Sequence, residues 1–359
     1  MEYNDILKEL RSKLGDSSEE NIRILRAEGD RYAKEGNIDG IKAAGELIME
    51  NMPEEQKEEL KRLTHIDGER LDEVYNKIVE HINKKEIIEA KSLAERLYKK
   101  ITVDFAEGEN SVFVSLRNPF EDNLYHFLYK PEKVLNRAPF DFATYLTTYA
   151  YILIETGSTI DAVPVLEKAI EYNPVDCGPK FELAEIYKII KNKKQLLQIT
   201  RDTLKVASSP IAIGRCYANV GYALTDSQEY EDAAVFYTAA AMFAPDPSIP
   251  LEMKHLADLM GKPIVPPTQQ QIIDTMKKHD IEFGPDKDVI SIAAQLASHY
   301  ITENDIPNAL QALKITYNLT LDDKVKDLIL KYDPKSAMLR PKPQEKPDIK
   351  QTVNNNPEE

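Results

Sequence analysis

The sequence predicts an all-α protein, a solenoid of antiparallel helix pairs. Two observations carry that prediction. Apolar residues recur with helical periodicity along most of the chain, with few β-branched runs and little strict alternation. In the middle of the chain, one spaced set of small and large residues occurs three times. Only residues 111–116 (SVFVSL) read as a strand, and a single short strand makes no sheet, so none is expected.

The first copy of the repeat comprises Ala150, Leu153, Ala162, Leu166, Ala169 and Pro174. A shift of about 34 residues meets Ala184, Tyr187, Leu196, Thr200, Thr203 and Ser208, a weaker copy. A second shift, about three residues longer, meets Gly221, Leu224, Ala233, Tyr237, Ala240 and Pro245. Segments 143–176, 177–210 and 214–247 therefore read as one helix–turn–helix unit, with the extra residues placed in the Pro-containing turn 208–214. Small residues such as Ala150, Ala162, Gly221 and Ala233 let two helices approach, and Leu153, Tyr187 and Leu224 fill the remaining space. Pro174 and Pro245 end the second helix. Each pair leaves an apolar face that only the next pair covers, so the units must stack.

The elements follow in order. Residues 1–104 form a helical region with two degenerate pairs. In 22–55, Gly29, Tyr32, Gly36 and Pro53 hold the register while Ile41 and Gly45 depart from it; in 71–104, Ile78, His81, Ala90, Ala94 and Leu97 hold it. Residues 105–142 form an aromatic-rich junction. Within it, Asn118-Pro119-Phe120-Glu121-Asp122 has the chemistry of a helix start: a cap, a proline in the first turn, then acids at the positive end. Phe120, Leu124, Phe127 and Leu128 share one face of that helix, which lines an aromatic pocket between two arrays or forms the packing seam between them. Residues 143–247 hold the three clear repeats, and Pro164 is expected to kink the second helix of the first. Residues 248–289 are a helical spacer broken by Gly261-Lys262-Pro263 and Val265-Pro266-Pro267, where the array is expected to bend. In 290–333, Ala297, Tyr300, Ala309, Leu313 and Thr316 mark a final pair, capped by a helix over residues 322–332. The Pro-rich stretch 334–359 is expected to be a disordered tail.

The pattern resembles the tetratricopeptide repeat, most closely over residues 146–174 and above all in TGSTIDAVPVLEKAIEYNP. The large aromatic expected early in each unit is Leu146 or Tyr217 here, in a chain without tryptophan. The resemblance implies a right-handed superhelix whose first helices line a concave groove for a peptide or partner helix. By register it places Thr147, Tyr151 and Glu155 in the groove from the first clear unit. Phe181, Glu185 and Lys188 come from the second, and Arg215, Tyr222 and Asp226 from the third. Aromatic rings among charges of both signs suit a peptide. Some members grip a terminal carboxylate with Lys, Asn and Arg on successive first helices. Arg215 and Asn219 could serve that purpose, but Glu182 would repel the ligand, so this use is not expected.

Composition narrows the function. With 61 acids against 46 bases and a net charge of −15, no basic field would hold phosphates, so neither nucleic acid nor an anionic membrane is expected as partner. The longest mostly apolar stretch, residues 233–244, falls short of the ~20 that span a bilayer, and the charged amino terminus lacks a signal-peptide core. Cys177 and Cys216 form no CxxC pair, which points to a reducing, cytoplasmic setting. The six histidines sit in no ligand motif, and Walker, GxSxG and HExxH signatures are missing. No metal, cofactor or catalytic residue is therefore expected. The leading expectation is a non-catalytic cytoplasmic scaffold that binds protein or peptide. The alternatives are a peptide-sensing regulatory receptor acting through protein contacts, and an unrecognised enzyme.

Overall fold

The chain folds into pairs because of its turns. The computed structural model describes residues 3–336. It opens with α1 (Tyr3–Ser12), the pair α2 (Ser18–Lys34) and α3 (Ile38–Asn51), then α4 (Glu54–Thr64). A short antiparallel ladder, β1 (His65–Ile66) with β2 (Glu69–Arg70), leads into the pair α5 (Leu71–Asn83) and α6 (Ile87–Asp104). The junction holds β3 (Ser111–Val114), α7 (Pro119–Tyr129) and β4 (Val134–Arg137). Three pairs follow: α8 (Phe142–Glu155) with α9 (Ala162–Tyr172), α10 (Cys177–Ile189) with α11 (Lys193–Leu204), and α12 (Pro210–Asp226) with α13 (Tyr230–Phe243). After α14 (Ser248–Met260) and α15 (Gln269–Lys278) comes the pair α16 (Lys287–Thr302) and α17 (Ile306–Thr320), then α18 (Asp323–Tyr332).

Between the helices of each pair, one residue takes the left-handed conformation: Gly36, Lys85, Gly157, Lys191, Gln228 and Asn304, with φ from +54° to +78°. The following amide then donates back to the carbonyl five residues earlier. The bonds run from Asn37 to Tyr32, Glu86 to His81, Ser158 to Leu153, Asn192 to Tyr187, Glu229 to Leu224 and Asp305 to Tyr300, all 2.8–2.9 Å. This closure satisfies a carbonyl at the helix end and reverses the chain. Asn37, Asn192 and Asp305 add side-chain caps on the next helix. Within the pairs, Ala150, Ala162, Ala169, Ala233 and Ala240 are fully buried, and Gly221 lies so close to Tyr237 that a Cβ would come within 3.1 Å of its ring. In the three central pairs the second helix then packs on the first helix of the next unit: α9 on α10, α11 on α12, α13 on α14. The expected fold class, all-α with antiparallel helix pairs, is the one the chain adopts.

Several sequence expectations need correction. A sheet is present after all: β3 pairs in parallel with β4, from Ser111 opposite Val134 to Val114 opposite Arg137, and α7 is the crossover between them. VLNR at 134–137 is too short and too polar at its end to read as a strand on its own. The stack nevertheless passes the insertion, since α6 packs directly on α8. Pro164 does not kink a helix. A 3₁₀ turn at Thr159–Asp161 delays the start of α9 to Ala162, which leaves Pro164 in the first turn, where no amide donor is needed. The extra residues of the third unit lengthen the start of α12, where Gly214 lets Ala240 O approach a would-be Cβ at 3.2 Å. In α7 the buried face is Phe120, Glu121, Leu124 and Tyr125, while Phe127 is exposed. In the first pair the close approach falls at Gly40, one position before Ile41, and Ile41 and Gly45 face outward. The tail expected over 334–359 lies, beyond Ser336, outside the described residues.

A buried polar network fixes the junction. Glu121 accepts from the Arg117 backbone amide at 2.8 Å, from Arg117 Nε at 2.8 Å and from Asn173 Nδ2 at 2.9 Å. Ser115 accepts the Phe142 amide at 3.1 Å and donates its own amide to Tyr172 O at 2.7 Å. Arg117 also reaches Asp176 at 3.1 Å. These bonds tie α7 to the loop between α9 and α10, and α16 packs against α7. One apolar core therefore runs from Val114 and Leu124 through Phe181 and Tyr217 to Leu296 and Ile329. A second core joins α5, α6 and the first central pairs, and a third, with Leu25, Tyr32, Ala43 and Leu47, belongs to α1–α3 alone.

Two glycines of α3 should respond oppositely to alanine. A Cβ at Gly40 would run into the Tyr32 ring, so Gly40→Ala is expected to destabilise the protein by about 1–3 kcal/mol. Gly45 meets nothing within 4 Å, so Gly45→Ala is expected to stabilise it by about 0.5–1 kcal/mol. Urea melts followed by circular dichroism check both signs.

Candidate functional site

The side chains placed in the groove by register lie on α8, α10 and α12. On α10 and α12 they form one connected group. The Lys188 ammonium donates to Glu185 at 2.8 Å, and the Arg215 guanidinium stands 3.7 Å from the same carboxylate oxygen. Arg215 also lies over the Phe181 ring, 4.2 Å from its centroid, and Lys188 lies 5.5 Å from the Tyr222 centroid. Glu185 thus sits between two cations, and each cation rests on a ring. Phe181 is only 6% exposed, so it acts as the platform beneath Arg215 and offers little surface of its own. Tyr222 is half-buried; burial, then Asp226, Glu252 and Glu185, raise its phenol above the ordinary range.

The α8 residues stand apart. Thr147 turns its hydroxyl back to Ala143 O at 2.7 Å. Tyr151, 43% exposed, and Glu155 point outward. Among the described residues, Thr147, Tyr151 and Glu155 share no hydrogen bond or ion pair with the α10–α12 group, and Asp226 is likewise exposed and unbonded. Asn219, weighed for a carboxylate clamp, is 3% exposed and withdrawn into the core.

The arrangement of helices decides what kind of surface this is. Among the first helices, α10 touches both α8 and α12, while α9 and α11 pack on the first helix of the following unit. First helices therefore line one face and second helices the other. The fold is tetratricopeptide-repeat-like. The chain matches no family model and no curated protein. It is similar to the crystal structure of a tetratricopeptide repeat protein from Parabacteroides merdae, with 13% identity over 89% of this chain and 100% of that one and a TM-score of 0.38. The C-terminal part of a TPR repeat-containing protein from Cytophaga hutchinsonii gives 13% identity, 85% and 98% coverage and a TM-score of 0.36. The Cut9–Hcn1 hetero-tetramer of the APC/C gives 12%, 88% and 60% coverage and a TM-score of 0.31.

Sequence reading missed two residues on the repeat face. Asp246 stands at the end of the third unit, and Glu252 lies beyond it, in what reads as spacer. Yet α14 packs on α13 as a further first helix, through the buried pair Ile249 and Leu256. Their spacing of two helical turns is the available signal. Asp246 is held below its ordinary value by its hydrogen bonds to Ser248, with a smaller contribution from Arg215. Tyr237 donates to Glu252 at 3.5 Å. Elsewhere, Glu229, Asp232 and His279 bring potential metal-ligand atoms within 4.8 Å of one another. Lys278 and His279 each contact Asp232 at 2.7 Å, and Lys193 contacts Glu229 at 3.3 Å. With both carboxylates engaged by lysines, the cluster acts as an ion-pair pin holding the end of α15 on α13.

Beneath the Arg215 face lie Cys177, Cys216 and the fully buried Lys180, whose ammonium donates to Pro174 O. Burial pushes the Cys177 thiol up to about 11 and Cys216 well above its ordinary value, outweighing the opposing effect of the nearby lysine. Both thiols are expected to react slowly with a thiol reagent near pH 8 in the folded protein and at once in denaturant. The raised Cys177 value carries stability that is complete below the ordinary 9.0 and is lost as pH rises towards about 11. Stopped-flow labelling and urea melts across that window measure both effects.

Proposed function

We propose that the chain is a non-catalytic, cytoplasmic scaffold that takes a protein or peptide segment on the face formed by α8, α10, α12 and α14. The α10–α12 group carries this reading. Glu185, Lys188 and Arg215 present charges of both signs in fixed positions, with Tyr222 offering ring surface beside them and Tyr151 an exposed ring on α8. Such a surface orients a backbone or charged side chain through its ions and buries an apolar side chain against its rings. Among the described residues, no helix is long and apolar enough to cross a membrane.

Selection from a displayed peptide library tests the reading. Wild type is expected to enrich a common motif, and Tyr151→Ala with Tyr222→Ala to weaken the selected peptide by about 10- to 100-fold. Unchanged affinity in the double variant would remove these residues from the site.

The seat of α16 on α7 favours a second reading, that of a regulatory receptor for a short peptide. A ligand that altered the curvature of the central pairs would work against this contact, coupling binding to the position of the carboxy-terminal helices. Small-angle scattering is expected to show a changed radius of gyration on adding a selected peptide. An identical profile speaks for a static scaffold.

A further inference from the structure

A cavity of about 250 Å³ opens where the junction meets the central array. Rings of Phe113, Tyr125 and Tyr172 line it, and carboxylates of Glu107, Glu132 and Glu171 stand around it. The walls are held firmly. Tyr172 donates its hydroxyl to Phe105 O at 3.0 Å, Phe113 meets Phe105 edge-on at 5.1 Å, and Tyr125 stacks on Tyr129 at 5.2 Å. Two lysines also reach the cavity, and both are already engaged. Lys133 donates to Glu107 at 2.7 Å and to Gly108 O at 2.9 Å. Lys168 pairs with Glu171 while its ammonium sits 5.5 Å from the centroid of the Tyr172 ring. The cavity therefore already holds one ammonium in the way such a site would hold another, on an aromatic face with a carboxylate beside it.

Charge then decides the sign of a ligand. Of the three carboxylates, Glu107 and Glu171 are matched by lysines, whereas Glu132 is exposed and forms no hydrogen bond or ion pair among the described residues. The lining thus carries one surplus negative charge beside the rings of Phe113, Tyr125 and Tyr172, the last of which already has an ammonium over it. We infer that this cavity binds an organic ammonium group, such as a methylated amine or the end of a lysine side chain. The site lies apart from the α10–α12 group and does not depend on the function proposed for it.

Titration of the full chain with tetramethylammonium chloride, followed by ligand-observed saturation-transfer NMR, tests the inference against sodium chloride and sodium benzoate controls. Saturable transfer to tetramethylammonium but not to benzoate is expected. Glu132→Gln changes an exposed side chain, and Phe113→Leu keeps apolar bulk while removing the ring face. Each is expected to weaken binding about two- to fivefold. Tyr151→Ala with Tyr222→Ala should leave it unchanged, which separates this site from the groove. Choline and an N-acetylated trimethyllysine amide then distinguish a free amine from a peptide side chain as the natural source. Absence of saturable transfer, preference for benzoate, or binding insensitive to Glu132→Gln would each overturn the assignment, and the last holds even if Phe113→Leu fails to fold.

Discussion

When the amide after a left-handed residue reaches back to a carbonyl five residues earlier, the helices it joins must run antiparallel and close together. That turn recurs at Gly36, Lys85, Gly157, Lys191, Gln228 and Asn304, and the rest of the array follows from it. Close helices demand small residues where they approach: Ala150, Ala162 and Ala233 are fully buried, and Gly221 leaves room for the Tyr237 ring. A pair held this way exposes an apolar face and covers it with the next pair. First helices then lie side by side, and residues one unit apart in sequence, such as Glu185 and Arg215, share one surface. The candidate groove is thus a product of turn geometry repeated with a fixed hand.

How much of this is legible in the sequence depends on how strongly physics restricts each position. Gly36 and Gly157 announce their turns, because glycine enters the left-handed region without strain. Lys85, Lys191, Gln228 and Asn304 do not, because the ~1 kcal/mol strain at one residue is easily offset by the hydrogen bond it permits. The crossing residues are readable in the central pairs, where alanine recurs at fixed intervals. In the first pair Gly40 takes over from the expected position, and a one-residue slip is invisible to a fixed ruler. Register was enough to bring Phe181, Glu185, Lys188, Arg215 and Tyr222 together, but not to show that Phe181 lies under Arg215. Nor did it reach Glu252, since Pro245, Pro247 and Pro250 mask the start of α14.

The junction shows a different kind of specification. β3, α7 and β4 are inserted between α6 and α8 without parting them, so their position must be fixed by something other than the stack. Glu121 and Asn173, 7% and 0% exposed, supply it through bonds that engage Arg117, Ser115 and each other. A buried carboxylate is costly to leave unpaired, so few arrangements other than this one are tolerated. The same positioning sets the aromatic walls of the cavity beside α9.

The meeting of α7 with α16 has a consequence for how the molecule comes apart. In an open stack each unit senses only its neighbours, so ends fray independently and cooperativity decays along the row. Here, helices far apart in sequence share one core, which makes much of the row a loop with an interlocked seam. Loosening the last pair uncovers the junction, and loosening the junction uncovers the last pair. Assembly must then wait for a contact between remote segments, at a cost in loop-closure entropy that a plain repeat array does not bear. The amino-terminal helices, with a core of their own, lie outside this seam and keep the local, stepwise behaviour of a simple repeat.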